Sequence, residues 1–205
     1  MAGRGDGGSE LLLARLLAFS DGVFAIVLTL LALDLRLPPG ASDAHLLQAL
    51  AGMKSEFISF GLSFALVGVF WLAHMTTFRA LAKFDWTVAA LNLVLLFTIS
   101  VTPFTSLLVG QDGMLGEAWR LYSLNIVAIS VTQIVLIAVS HRDERRLIHE
   151  AHHGRLMHRI ARAGTPGVAF AIGLGLSFAG LYGLASLCWL LIPPLLLAAR
   201  LMERA

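Results

Sequence analysis

The chain has 205 residues, 58% of them hydrophobic and only 14% charged, with a mean hydropathy of +0.81. Soluble domains carry about 25% charged residues, and one of this length could not hide so much apolar surface. The composition therefore excludes a soluble globular fold and points to an all-α, polytopic membrane protein built as one bundle. The single cysteine, Cys188, excludes an intrachain disulfide, and a net charge of +2 gives no reason to invoke nucleic acid.

Residues 1–10 form a short, Gly-rich polar tail, unlike a signal peptide, and residues 11–205 read as a single transmembrane domain. The first span covers about 11–37. At ~1.5 Å per residue it is longer than a ~30 Å hydrocarbon core needs, so it tilts or protrudes. Pro38-Pro39-Gly40 ends it, because proline cannot continue the hydrogen-bond ladder. Residues 41–51 read as a short, partly helical loop. The second span is 53–77 and the third 86–109, with Pro103 kinking or thinning its far end. Residues 110–116 read as a tight polar turn, 117–140 as the fourth span, and 141–162 as a basic connector. The last apolar block is too long for one helix. Splitting it at Gly180-Leu181-Tyr182-Gly183 gives a fifth span at 166–181 and a sixth at 183–201, the latter bent by Pro193-Pro194.

Charge asymmetry orients these six spans. With the N-terminus cytoplasmic, the non-cytoplasmic segments hold only Arg36, Lys54 and Arg120 of the 15 Lys and Arg, and the remaining twelve (15 − 3) lie inside. Basic residues favour the cytoplasmic side, so both termini are expected there, in a multi-pass protein of the cell (inner) membrane. Trp86 and Trp119 fall near span ends, as interfacial belt residues do.

The first span carries the chemistry. Phe19, Gly22, Ile26, Leu30 and Leu33 share one helical stripe, a pattern that ordinary packing also produces. Asp21 weighs against packing alone. It lies ~15 Å along the helix from Leu11, where an unpaired carboxylate costs several kcal/mol and must face protein or water. Arg15 is about 240° round the helix from Asp21, so it is no simple intrahelical partner. Partners must come from other spans at similar depth. Trp71 and His74 on the second and Asn92 on the third qualify. A buried network of Ser20, Asp21, His74 and Asn92 is expected, with Arg15 supplied by the same or a neighbouring subunit.

At these residues the chain resembles a known family. Arg15-xxx-Phe19-Ser20-Asp21, continued by Gly22-Val-Phe-Ala-Ile26-xx-Thr29-Leu30-Leu, is similar to the signature of the TMEM175 potassium channels in their bacterial form. The segments Ser63-Phe64 through Trp71-xx-His74 and Asn92 through Pro103-Phe104 also fit; the last two spans match mainly in hydropathy. Animal members carry two six-helix units, so the resemblance implies a homotetramer here, with the first helix of each copy lining a central pore. It further implies a constriction at Ile26, a pore-facing Thr29, and apolar layers at Leu30 and Leu33. Potassium is the implied permeant ion, membrane lipid and other copies of the chain the partners, and no cofactor is called for. Ala25 stands where some members have serine, which removes one hydrogen bond. No TVGYG stretch occurs, so no carbonyl-ring filter is indicated. A narrow ring of isoleucines would gate by excluding water, and potassium sheds its hydration shell more cheaply than sodium.

Two other readings exist. His149-Glu150-Ala151-His152-His153 matches H-E-x-x-H, in which His149 and His153 hold zinc and Glu150 acts as base. It sits in a basic connector without a third ligand or shielded pocket, so a metalloprotease is discounted. An interfacial helix fits those residues better, with Leu147, Ile148, Leu156 and Ile160 in lipid and the arginines at anionic headgroups. A secondary transporter or proton pathway would use Asp21, His74 and Asn92 as a relay. Transporters of that kind show internal repeats, and none is evident. The glycines of the fifth span, Gly167, Gly173, Gly175, Gly180 and Gly183, more simply permit close helix packing.

Overall fold

Long apolar runs with few breakers leave the backbone one economical way to pair its polar groups in lipid, the helix. In the computed structural model, which describes residues 6–39, 45–112, 116–141 and 156–202, every regular element is helical. In chain order these are α1 (Asp6–Leu33), α2 (Leu46–Gly52), α3 (Lys54–Phe78), α4 (Trp86–Ser100), α5 (Thr102–Asp112), α6 (Gly116–Ser140), α7 (Leu156–Phe178), α8 (Tyr182–Ala185), a 3₁₀ turn (Cys188–Leu191) and α9 (Ile192–Met202). Among the described residues, 5 stretches are long and apolar enough to cross a membrane: Gly7–Leu33, Lys54–Phe78, Trp86–Gln111, Gly116–Ser140 and Arg159–Phe178.

Several boundaries differ from the sequence reading, each for a local reason. α1 starts at Asp6, inside the expected polar tail, and ends at Leu33 rather than near Leu37. Its early turns are tied down because the Phe84 N–H donates to Ser9 Oγ at 2.8 Å. The third span is two helices, α4 and α5, broken where Pro103 has no N–H for the Ile99 carbonyl. α4 opens on Asp85, whose carboxylate accepts from the Thr87 and Val88 N–H groups. Gly110 lies inside α5 and not in a turn. It lets α5 approach α3, since a Cβ there would sit 3.3 Å from Glu56 Cα.

α7 begins at Leu156, so the end of the expected basic connector is already helical; residues 142–155, with His149, Glu150 and His153, lie outside the described residues. Gly180, at φ +79°, ends α7. The Leu181 N–H reaches the Leu176 carbonyl and the Gly180 N–H the Ser177 carbonyl, which satisfies two terminal acceptors. A single sixth helix over 183–201 does not form. Pro193 and Pro194 offer no N–H to the Trp189 and Leu190 carbonyls, so the chain tightens into the 3₁₀ turn. It restarts as α9, with both prolines in the first turn, where their missing donors cost nothing. Cys188–Ala198 is apolar but too short to cross unaided.

The core runs through Phe24, Val27 and Leu31 of α1, Leu66 and Phe70 of α3, Leu95 and Ile99 of α4, Ile126 and Leu136 of α6, and Phe170 of α7. α6 lies against α4, α5 and α7, while α1 packs on α3, α4 and α5 at the other side of the bundle. Glycine sets how closely α7 approaches α6 and the 3₁₀ turn. A Cβ at Gly167 would fall 2.5 Å from Ser130 Cβ, and one at Gly173 would fall 2.5 Å from Cys188 Sγ, while Gly175 and Gly183 face open space. Gly167→Ala is therefore expected to cost about 1–3 kcal/mol through forced separation of two packed helices. Gly175→Ala should be neutral or slightly stabilising. Thermal unfolding in detergent checks both, and equal midpoints for the two variants would contradict the assigned crossing.

Candidate pore helix and its polar lock

α1 has two faces of opposite character. Ser20, Phe24, Val27 and Leu31, at spacings of three and four, are all buried against α3, α4 and α5. Turned away from them, Phe19, Ile26, Leu30 and Leu33 stand exposed, Ile26 at 58% against 1% for Phe24. Gly22, Ala25 and Thr29 are exposed beside them. The stripe read from spacing is thus the stripe that the chain by itself leaves uncovered. Thr29 Oγ1 donates to the Ile26 carbonyl at 2.8 Å. Its hydrogen is committed to its own helix, and the hydroxyl presents only oxygen lone pairs outward.

Polar contacts on the inner side hold this rotation of α1. Asn92 Nδ2 donates to Ser20 Oγ at 2.9 Å, and Ser20 Oγ donates to the Leu16 carbonyl at 2.8 Å. Asn92 Oδ1 therefore accepts, which assigns the hydrogen of the 2.8 Å contact to His74 Nε2. Each link has a direction, from His74 to Asn92 to Ser20 to the α1 backbone. The imidazole lies between Phe24 and Phe78, with ring centroids at 5.4 and 4.3 Å. All three polar side chains are fully buried. The expected single network is in fact two pieces, because Asp21 accepts separately from Trp71 Nε1 at 2.9 Å. Arg15 joins neither. It is exposed, lies on the uncovered stripe, and makes no hydrogen bond or ion pair among the described residues.

Two further sets of contacts join the helices behind α1, and the sequence reading assigned no pairing to them. Ser55, Ser59 and Ser63 follow one another at intervals of four along α3 and zip it to α5 and α6. Ser55 Oγ donates to the Gly110 carbonyl (2.6 Å), Ser59 Oγ to the Ser106 carbonyl (2.7 Å) and Ser63 Oγ to Ser106 Oγ (2.8 Å), while Ser63 also meets Tyr122 Oη at 2.9 Å. The four-residue serine period was the available signal. Arg120 clasps the end of α7 through the Ser177 carbonyl and Tyr182 Oη, with Glu117 as ion-pair partner and its guanidinium 4.8 Å from the Phe178 ring centre. Just beyond α1, burial raises the Asp34 carboxyl above the usual carboxylate range, with Arg36 pulling the other way.

Comparison with known proteins places this arrangement. The family model described as the endosomal/lysosomal potassium channel TMEM175 matches residues 15–103, the stretch from Arg15 through α1, α3 and α4 to the α5 proline. A potassium channel of Chamaesiphon minutus is 30% identical over 145 residues, covering 70% of this chain and 68% of the relative. A potassium channel of a Chryseobacterium strain is 29% identical over 185 residues, covering 86% of this chain and 92% of the relative. The human endosomal/lysosomal proton channel TMEM175 is 32% identical over 129 residues, which is 60% of this chain but only 25% of that protein. Among solved structures, a lysosomal potassium-selective channel TMEM175 homolog from Chamaesiphon minutus superposes with a TM-score of 0.75 at 23% identity, covering 91% of this chain and 97% of the other, and shares its fold. These neighbours are ion channels, not enzymes. The 30% identity to the Chamaesiphon minutus potassium channel over 70% of this chain and 68% of that relative, with the family model matching from Arg15 to Pro103, makes this protein a member of the TMEM175 family.

Proposed function

We propose that the chain is a potassium-conducting channel in which four copies bring the uncovered face of α1 to a common axis. The observation that carries this reading is the row Phe19, Ile26, Leu30 and Leu33, which the protomer leaves exposed while it buries and hydrogen-bonds the opposite face. Four-fold closure lets one residue per copy build a ring. Ile26 would make the constriction, Leu30 and Leu33 further apolar layers, and Thr29 a ring of oxygen lone pairs for a partly dehydrated cation. Such a neck passes ions only as water is stripped, which favours potassium over sodium and gates by dewetting. In this reading six segments cross the membrane, α8 to α9 forming the broken sixth. Both termini face the cytoplasm of a multi-pass cell-membrane protein, in keeping with the Lys and Arg count. Membrane lipid surrounds the assembly and no cofactor takes part.

The animal relatives' name motivates a second reading, proton conduction. The buried Ser20–Asn92–His74 chain is poorly suited to it. A carboxamide passes a proton on only through its high-energy imidic acid form, so Asn92 fixes hydrogen positions without relaying them. The chain acts as a lock that sets the rotation of α1.

Two outcomes follow for planar-bilayer and stability measurements. Ile26→Ala should raise single-channel conductance and narrow the potassium/sodium difference in bi-ionic reversal potentials; unchanged potentials would remove Ile26 from the constriction. Asn92→Leu leaves His74 Nε2–H without its acceptor and Ser20 without its donor, and should cost about 1–3 kcal/mol of folded stability. A variant that kept wild-type stability and lost only proton flux would make the chain a relay instead.

A further inference from the structure

Where the chain leaves α1, passes through α2 and enters α3, it borders a cleft of about 350 Å³ lined by Arg36, Pro38, Gln48, Gly52, Met53 and Glu56. At ~30 Å³ per molecule this is room for about ten waters. The cleft holds a cation and an anion that do not pair with each other. Arg36 Nε donates to the Leu33 carbonyl at 3.0 Å, and the two remaining guanidinium nitrogens make no hydrogen bond or ion pair among the described residues. Asp34 borders a separate, smaller cleft with Leu31, Ser59 and Ser106, and Glu56 borders both. Glu56 meets Ser55 Oγ at 3.1 Å, but that hydroxyl gives its one hydrogen to the Gly110 carbonyl at 2.6 Å. Gln48 is exposed, and its carboxamide has no partner among the described residues.

The level of the cleft and the helix beside it point to lipid. The stretch Gly7–Leu33 stops three residues before Arg36, and Lys54–Phe78 starts two residues before Glu56, so the cleft lies where two spans meet the headgroup layer. None of the residues of α2 is buried, and Leu47 is 82% exposed. On this helix Leu46, Leu47 and Leu50 share an arc of about 100°, opposite Gln48 and Gly52. The polar and small side therefore borders the cleft, while the leucines point away from the protein. Leu37, Phe57 and Ile58 are exposed at the same level. Apolar side chains turned outward at this depth belong to a helix that rests on acyl chains.

We infer that this cleft is a phospholipid headgroup site that takes an ammonium–phosphate zwitterion of the phosphatidylethanolamine type. Arg36 and Gln48 donate to the phosphate oxygens, the Glu56 carboxylate accepts from the ammonium, and the acyl chains run past Leu46 and Leu47. A glycerol headgroup brings the phosphate without the ammonium and leaves Glu56 facing a like charge. The bound lipid ties the segment after α1 to the first turn of α3. The site uses none of the uncovered face of α1, so it stands apart from the pore.

Native mass spectrometry of the delipidated full-length protein in detergent, titrated with phosphatidylethanolamine or phosphatidylglycerol of matched chains, tests this. The wild type should bind the ethanolamine lipid about fivefold more tightly, the upper range for a partly exposed ion pair. Glu56→Gln should make the two lipids bind about equally. Arg36→Gln should weaken both; because it also uncaps the Leu33 carbonyl, Gln48→Ala, at an exposed position, serves as the second phosphate-side variant. Equal binding of the two lipids by the wild type overturns the site, as does a preference that survives Glu56→Gln. Binding that neither phosphate-side variant weakens also overturns it. Soluble phosphoethanolamine that displaced the lipid at equal concentration would make the ligand a free solute and overturn the membrane source.

Discussion

A polar side chain inside a bilayer has to face protein or water, and in this molecule that requirement sets which way the first helix faces. Ser20 is held by Asn92, Asn92 by His74, and His74 by two phenylalanine rings. Because Ser20 also bonds the α1 backbone, the chain of contacts acts on the helix itself. Turning α1 about its axis would break it and bury Ile26 in place of Phe24. The exposed row of Phe19, Ile26, Leu30 and Leu33 is therefore the direct consequence of a buried amide and not of hydrophobicity, which is high on both faces.

The remainder of the bundle makes this lock rigid. Serines at four-residue intervals on α3 join it to α5 and α6 by hydroxyl contacts of 2.6 to 2.9 Å. In lipid there is little hydrophobic force between helices, so close approach and hydrogen bonds do the joining. The same principle explains Gly110 against Glu56 and Gly167 against Ser130, where only the absence of a Cβ permits the observed spacing. Arg120, at the C-terminal end of α7, adds a second donor to the Ser177 carbonyl that the Gly180 N–H also reaches. Packed behind α1 and uncovered in front of it, the chain has the form of a scaffold presenting one helix.

Much of this was legible from the residues. Composition and helical period were enough for the all-α membrane class, because twenty or so apolar residues in a row have no other stable backbone state in lipid. The stripe on α1 followed from a period of 3.6 residues. Pairing of Ser20, His74 and Asn92 followed from depth, since a buried polar group restricts its partners to those at its own level. The split at Gly180–Gly183 followed from length, because the last apolar block is too long for one helix, and in the fold Gly180 makes it with a positive φ.

Tertiary contact decided the rest. Spacing could not separate Asp21 with Trp71 from the Asn92 chain, because the choice depends on where two rings point. Nor could it decide that Arg15 stays out of the network of its own chain, since that depends on which side of α1 the bundle covers. Gly110 reads as a turn residue until α3 is seen lying against it. Residues 183–201 read as one bent helix, but the paired prolines can be accommodated only by stopping and restarting the ladder. One-dimensional pattern carries the period and the depth of a side chain, while its partner, and hence its role, depends on the rotation of the neighbouring helix, which the chain acquires only by packing.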